Sequence, residues 1–175
     1  MGREVRRVPA GWQHPKRPNG HFDSLMGGGY ASRLREWERG REQWALGLRR
    51  NYGSGGKRWV RVEEGDARHT WAEWDGERPV ASDYMPEWPE GEATHFMMYE
   101  TTSEGSPISP AFATPEELAR WLADTGASSF AGRGASYEGW LRVCRGGFAP
   151  SMVAIVPERG AGAAFSGVDG LTGEA

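Results

Sequence analysis

Ala93-Thr94-His95-Phe96-Met97-Met98-Tyr99-Glu100-Thr101-Thr102 (residues 93–102) is the stretch that decides the fold. Phe96 to Tyr99 are all apolar, so alternate positions leave neither face polar. Such a strand satisfies both faces only when it is central and covered on each side. A polar loop, residues 103–110, follows it. Next comes Thr114-Pro115-Glu116-Glu117, an N-cap, a proline at the first helical position and a capping-box glutamate at the third. Leu118, Trp121 and Leu122 give that helix an apolar face, and Asp124-Thr125-Gly126 ends it. Ser136 caps a second short helix holding Tyr137, Trp140, Leu141 and Cys144, which Gly146-Gly147 stops. Residues 153–156 read as a last strand.

Upstream of the decisive strand the pattern is looser. Residues 1–29 read as extended and irregular, because Pro9, Pro15 and Pro18 bar a helix and push His14 and Arg17 toward β or polyproline geometry. Tyr30, Leu34, Trp37 and Trp44 share one helical face over residues 30–47, with Gly40 weakening the middle and Gly47 placed to close it. Residues 51–58 read as a flexible loop. Its glycines precede Lys57, but Arg58 stands where a phosphate-binding loop needs Ser or Thr. Residues 59–62 alternate as a strand, and residues 69–74 suggest another, followed by an Asp75-Gly76 turn. Residues 79–92, rich in proline, glycine and acid, read as loop. The expectation is an α+β single domain: a small antiparallel or mixed sheet with about three helices. It divides into an N-terminal arm (1–29), a globular body (30–157) and a flexible Gly/Ala-rich tail (158–175).

Composition narrows the class of function. At 175 residues the chain fits one domain. Its net charge is −3, whereas a nucleic-acid binder shows a basic excess or stripe, so no nucleic-acid partner is expected. Arg3, Arg6, Arg7, Lys16 and Arg17 make the N-terminus locally basic and read as a solvated arm. One cysteine, Cys144, permits no intrachain disulfide and no cysteine-rich metal cluster. Neither a signal-peptide pattern nor an apolar run of membrane-spanning length is visible, so the expectation is a cytoplasmic protein without a membrane partner. The 9 tryptophans are the unusual feature. Most large aromatics pack in cores, yet some indoles here are expected to be exposed for stacking.

No catalytic or metal motif stands out, and no cofactor is expected. The four histidines, His14, His21, His69 and His95, are dispersed and show no helical metal-ligand spacing. His95, on the best strand, is the first to inspect. The hydroxyl-rich segment after that strand is the expected ligand site: Tyr99, Glu100, Thr101, Thr102, Ser103, Ser106 and Ser109, with His95 and Tyr84. Short hydroxyl side chains beside a helix N-terminus can hold polar or anionic groups. Ordinary turn chemistry accounts for the same residues equally simply.

The opening residues 3–9, with Trp12 and His14-Pro15, resemble the start of a set of small tailed-bacteriophage proteins that carry no assigned activity. Tyr84-Met85-Pro86, residues 99–105, residues 107–110 and the helix from Thr114 to Asp124 continue the resemblance. It implies no functional residue. A phage origin implies a non-enzymatic counter-defence protein, which sequesters a nucleotide-derived small molecule or blocks a host immune protein. Two other readings stand beside it. One is a small enzyme acting on nucleotides or modified bases through His95 or Glu100; the other is a virion or assembly accessory protein.

Overall fold

The structure is a computed structural model and describes residues 2–51, 58–150, 152–155 and 163–168. In chain order its elements are β1 (Gly2–Val8), α1 (Tyr30–Ala45), β2 (Leu48–Asn51), β3 (Arg58–Arg61), α2 (Trp71–Asp75), β4 (His95–Glu100), β5 (Ser106–Pro107), α3 (Pro115–Asp124), α4 (Tyr137–Gly146), β6 (Phe148–Pro150), β7 (Met152–Ile155) and β8 (Ala163–Ser166). One turn of 3-10 helix covers Ala81–Asp83. The α+β class is as expected. The chain clusters into two compact units, residues 1–26 with 87–175, and residues 27–86.

The larger unit is built on a four-stranded antiparallel sheet in the order β5-β4-β1-β6. The N-terminal residues are therefore not an arm outside the body. β1 lies between β4 and β6, with Val5 opposite Met98 and Arg3 opposite Ala149. Charged side chains hide its period in the sequence, but those charges find partners. Arg3 is 4% exposed; its guanidinium donates to the Ser128 carbonyl and pairs with Glu100 at 2.8 Å. Arg6 lies over the Tyr99 ring at 4.4 Å and donates to the Leu25 carbonyl. A buried cation is tolerated only when paired and hydrogen-bonded in this way.

Both faces of β4 are covered, as its sequence requires. Met98 belongs to a core of Leu118 and Leu122 from α3, Trp140 and Val143 from α4, Ala149 and Val168. α3 starts with the full capping box, Thr114 accepting from the Glu117 N–H while Glu117 accepts from the Thr114 N–H. α4 is capped by Ser136 and closed by Gly147 at φ 85°, the left-handed conformation that glycine adopts without penalty. On the opposite face Met97 and Tyr99 lie under the chain segment that carries Trp12, His14 and Leu25. Part of the expected flexible Gly/Ala-rich tail is ordered structure, because residues 163–166 pair with β7 and Val168 is buried in the core. The rest of the 158–175 segment lies outside the described residues.

The smaller unit packs α1 with the β2–β3 hairpin and α2. Residues 71–75 form a helix, not the strand that residues 69–74 suggested. Thr70 and Glu73 make a reciprocal capping box, which outweighs the aromatic content that favoured a strand. Residues 48–51 form β2, paired with β3, so Asn51 and Arg58 are hairpin residues; the expected loop between them lies outside the described residues. Trp37 and Trp71 are buried, and Trp44 packs against Trp71 and Trp74 at ring separations of 5.8 and 5.4 Å. Gly40 is buried mid-helix because the Trp71 indole occupies the space a Cβ would need. The helix-propensity cost of that glycine accommodates a ring.

Candidate functional site

The expected hydroxyl-rich turn is occupied by its own hydrogen bonds. Thr101 Oγ1 accepts from the Gly2 N–H at 2.6 Å, and the Ser103 hydroxyl donates to the Glu100 carbonyl. Ser109 Oγ accepts from the Met98 N–H at 2.9 Å and donates to the Pro110 carbonyl at 2.8 Å. Ser106 pairs opposite Glu100 in the β4–β5 ladder, and Thr102 is exposed. Gly105, at φ 101°, is buried with its backbone against the Leu25 carbonyl, so the turn is packed onto the body. Glu100 is held by Arg3. Thr101, Ser103 and Ser109 thus serve as fold chemistry, their hydroxyls spent internally. Tyr84 is buried in the smaller unit against Tyr30.

His95 and Glu100 do not come together. They sit at opposite ends of β4, about 17 Å apart along the strand, and five residues of alternation put them on opposite faces. His95 Nδ1 lies 2.9 Å from the Thr94 hydroxyl.

The structure instead forms a cleft of about 790 Å³ between residues 12–22 and residues 107–111, with Trp121 of α3 on its border. That volume falls within the range of ligand-binding clefts. Buried Met97, Pro107 and His14 form its floor, while the half-buried indoles of Trp12 and Trp121 and the exposed Phe22 stand at its walls. A ladder of rings and hydrogen bonds fixes the first wall. The Trp12 indole N–H donates to the Tyr99 oxygen at 3.3 Å, and Trp88 meets the Trp12 ring edge-on at 5.1 Å. His14 Nε2 lies 2.7 Å from the Asp23 carbonyl, which can only accept. In a neutral His14, Nε2 therefore carries the hydrogen and Nδ1 accepts from the Tyr99 hydroxyl at 3.2 Å. Burial pushes the His14 imidazole below its usual pKa; the Asp23 carbonyl opposes this and nearby Arg6 adds to it. Burial likewise raises the Tyr99 phenol. Both groups are consequently held neutral near pH 7 and act as framework.

Trp121 and Ala111 also border a second cleft, of about 780 Å³, which carries His95, Glu116, Glu117, Arg120 and Asp124. Its charges are partly compensated: Arg145 pairs with Glu116 at 2.7 Å and holds that carboxyl below its usual pKa, and the Arg120 guanidinium lies 3.9 Å over the Tyr137 ring. Trp121 has a ring contact with Phe112, but its indole N–H makes no hydrogen bond among the described residues.

Of the nine expected site residues, the structure brings Ser109 to the first cleft, Tyr99 directly beneath it and His95 to the second. Trp12, His14, Lys16, Phe22 and Trp121 were not singled out as site residues. The signal for the first four was the run of aromatic and proline residues at 12–22, which composition alone assigns to irregular chain, while Trp121 read as the apolar face of its helix. Among the described residues no His, Cys, Asp or Glu cluster is arranged to hold a metal ion, and no helix is long and apolar enough to cross a membrane. The buried Cys144 thiol is pushed up to about 12 by desolvation, so at neutral pH it is no nucleophile. Fold and site together define an α+β protein with a proline- and indole-walled cleft. No protein-family model, curated protein or solved structure matches the chain.

Proposed function

We propose that this chain is a non-enzymatic binding protein that takes a segment of a partner protein between Trp12 and Trp121, and that it serves a tailed bacteriophage by blocking a host immune protein. The carrying observation is the cleft itself, whose wall is rigidified by the Trp12–Tyr99–His14 hydrogen bonds while indole surface stays open to solvent. Large aromatic faces held in place lose little side-chain entropy on binding, which is why tryptophan is enriched at binding hot spots.

The same lining weighs against the nucleotide-derived signal as occupant. Among the described residues Lys16 is the one cation on the first cleft, and the hydrogen-bonding atoms of His14 and Ser109 are already engaged within the protein. A phosphate-bearing ligand calls for several donors aimed at one point. The enzyme reading required His95 or Glu100 as acid or base; Glu100 is tied to Arg3, and the pair is split across the sheet.

Immobilised protein and a Trp12→Ala/Trp121→Ala double variant, each exposed to lysate of the infected host, test the proposal. Mass spectrometry should find a discrete host protein retained by the parent chain and lost by the variant, with both chains showing the same circular dichroism. Equal recovery from both would remove the cleft from the function. Heat on titration with cyclic or linear oligonucleotide signals would favour the small-molecule alternative.

A further inference from the structure

Granting that the cleft holds a protein segment, its chemistry narrows the segment further. We propose that the occupant is an extended, proline-containing stretch in polyproline II conformation that passes over Trp121, with an acidic residue near Lys16 and a basic residue near Glu117 and Asp124.

Strand addition is disfavoured along this border. β5 is the edge of the sheet, and the chain beside β4 there carries Pro107 and Pro110, which have no N–H to offer a ladder. The Ser109 hydroxyl already takes the Met98 N–H. Recognition must therefore come from side chains. The walls offer flat, stiff faces, those of Trp12, Phe22 and Trp121, with Pro15 and Pro110 in the same lining, in place of the aliphatic trough that accepts an amphipathic helix. Aromatic ridges of this kind suit polyproline II, which is preformed and so loses little conformational entropy on docking.

A polyproline II segment forms no internal hydrogen bonds, and its carbonyls need donors. The Trp121 indole N–H makes no bond among the described residues, and Trp121 itself borders both clefts. Electrostatics then orient the segment. Among the described residues no carboxylate lines the first cleft, where Lys16 supplies positive charge, its ammonium 4.8 Å over the Phe22 ring. The second cleft holds three carboxylates against Arg120, with Arg145 compensating one of them. A segment crossing Trp121 thus meets positive potential on one side and negative on the other. Such complementarity selects direction and partner more than it adds affinity.

The test is selection of a random 12-residue peptide library on the full chain, with the Trp12→Ala/Trp121→Ala double variant as counter-target. The expected result is enrichment of prolines spaced two residues apart, with acidic residues toward one end and basic residues toward the other. Lys16→Glu should weaken the selected peptides about threefold to tenfold, as expected for losing and then reversing one exposed charge. Enriched peptides without proline, or a second copy of this chain occupying the cleft in sedimentation at high concentration, would overturn the polyproline assignment and leave the binding reading standing. Peptides recovered equally on the double variant would overturn both.

Discussion

Four of the five indoles of residues 27–86 and the two at the cleft of the larger unit are one chemical group put to opposite uses. Trp37, Trp44, Trp71 and Trp74 provide interior for a unit that has few aliphatic side chains. Trp37 donates its N–H to the Gly76 carbonyl at 2.9 Å and Trp44 to the His69 carbonyl at 3.1 Å, so these rings are fastened as well as packed. The larger unit already has an aliphatic and tryptophan core around Leu118, Leu122 and Trp140. Trp12 stands apart from that core and Trp121 packs against its margin, and both keep part of their surface in water. An indole left half-buried at the wall of a cleft is surface available for recognition. A high tryptophan count therefore carries two meanings within one chain, and the cleft separates them, since Trp44 and Trp74 are half-buried like Trp12 and Trp121 but pack in a ring cluster with Trp71.

The sharpest way to break this contrast is to truncate one indole of each kind. Trp140 is fully buried, so Trp140→Ala should cost about 3–5 kcal/mol in urea unfolding. Trp121→Ala, at a half-buried ring, should cost nearer 1 kcal/mol. Equal losses would mean that Trp121 is core after all. Gly40→Ala comes next and probes the smaller unit. Helix propensity alone predicts a gain of about 1 kcal/mol, whereas intrusion on the Trp71 ring predicts a net loss of about 1–3 kcal/mol. A higher melting temperature for Gly40→Ala would contradict the close approach.

A third comparison sets the hydroxyl turn against itself. Ser109→Ala strands the buried Met98 N–H and should cost about 1–3 kcal/mol, while Thr102→Ala at an exposed position should stay within about 0.5 kcal/mol. If neither substitution alters stability, the turn is not the internal structure described above.

The smallest effect is in pH. Folded His14 binds its proton less readily than the unfolded chain, whose pKa is near 6.5. Below that pH the unfolded state holds more protons, so stability falls as pH drops through 6.5 and levels off once folded His14 is also protonated. Above 6.5 His14 contributes no slope. His14→Gln should flatten the acid-side slope of stability against pH between 6.5 and 5, and an unchanged slope would show that His14 is not buried as a neutral ring.

Local signals in the sequence were legible where a side chain satisfies its own neighbourhood. The Thr114–Glu117 box, the Ser136 cap and the doubly apolar strand at 95–100 each state their structure within a few residues. β1 was hidden because the partners that make Arg3 and Arg6 acceptable, Ser128, Glu100, Tyr99 and Leu25, lie far along the chain. The Thr70–Glu73 box was equally local but was masked by two tryptophans that favour strands. The site suffered the same blindness: hydroxyls after a strand read as available until their backbone partners are seen, and Trp12 with His14 read as irregular chain until Tyr99 is seen between them.

The most direct measurement uses the nine indole N–H signals of the ¹⁵N-labelled chain, titrated with the segment that the chain captures or selects. The account predicts that the Trp12 and Trp121 resonances shift together and saturably, while Trp37, Trp44, Trp71 and Trp140 stay in place. Saturable shifts confined to the smaller unit's indoles, with Trp12 and Trp121 unmoved, would contradict it.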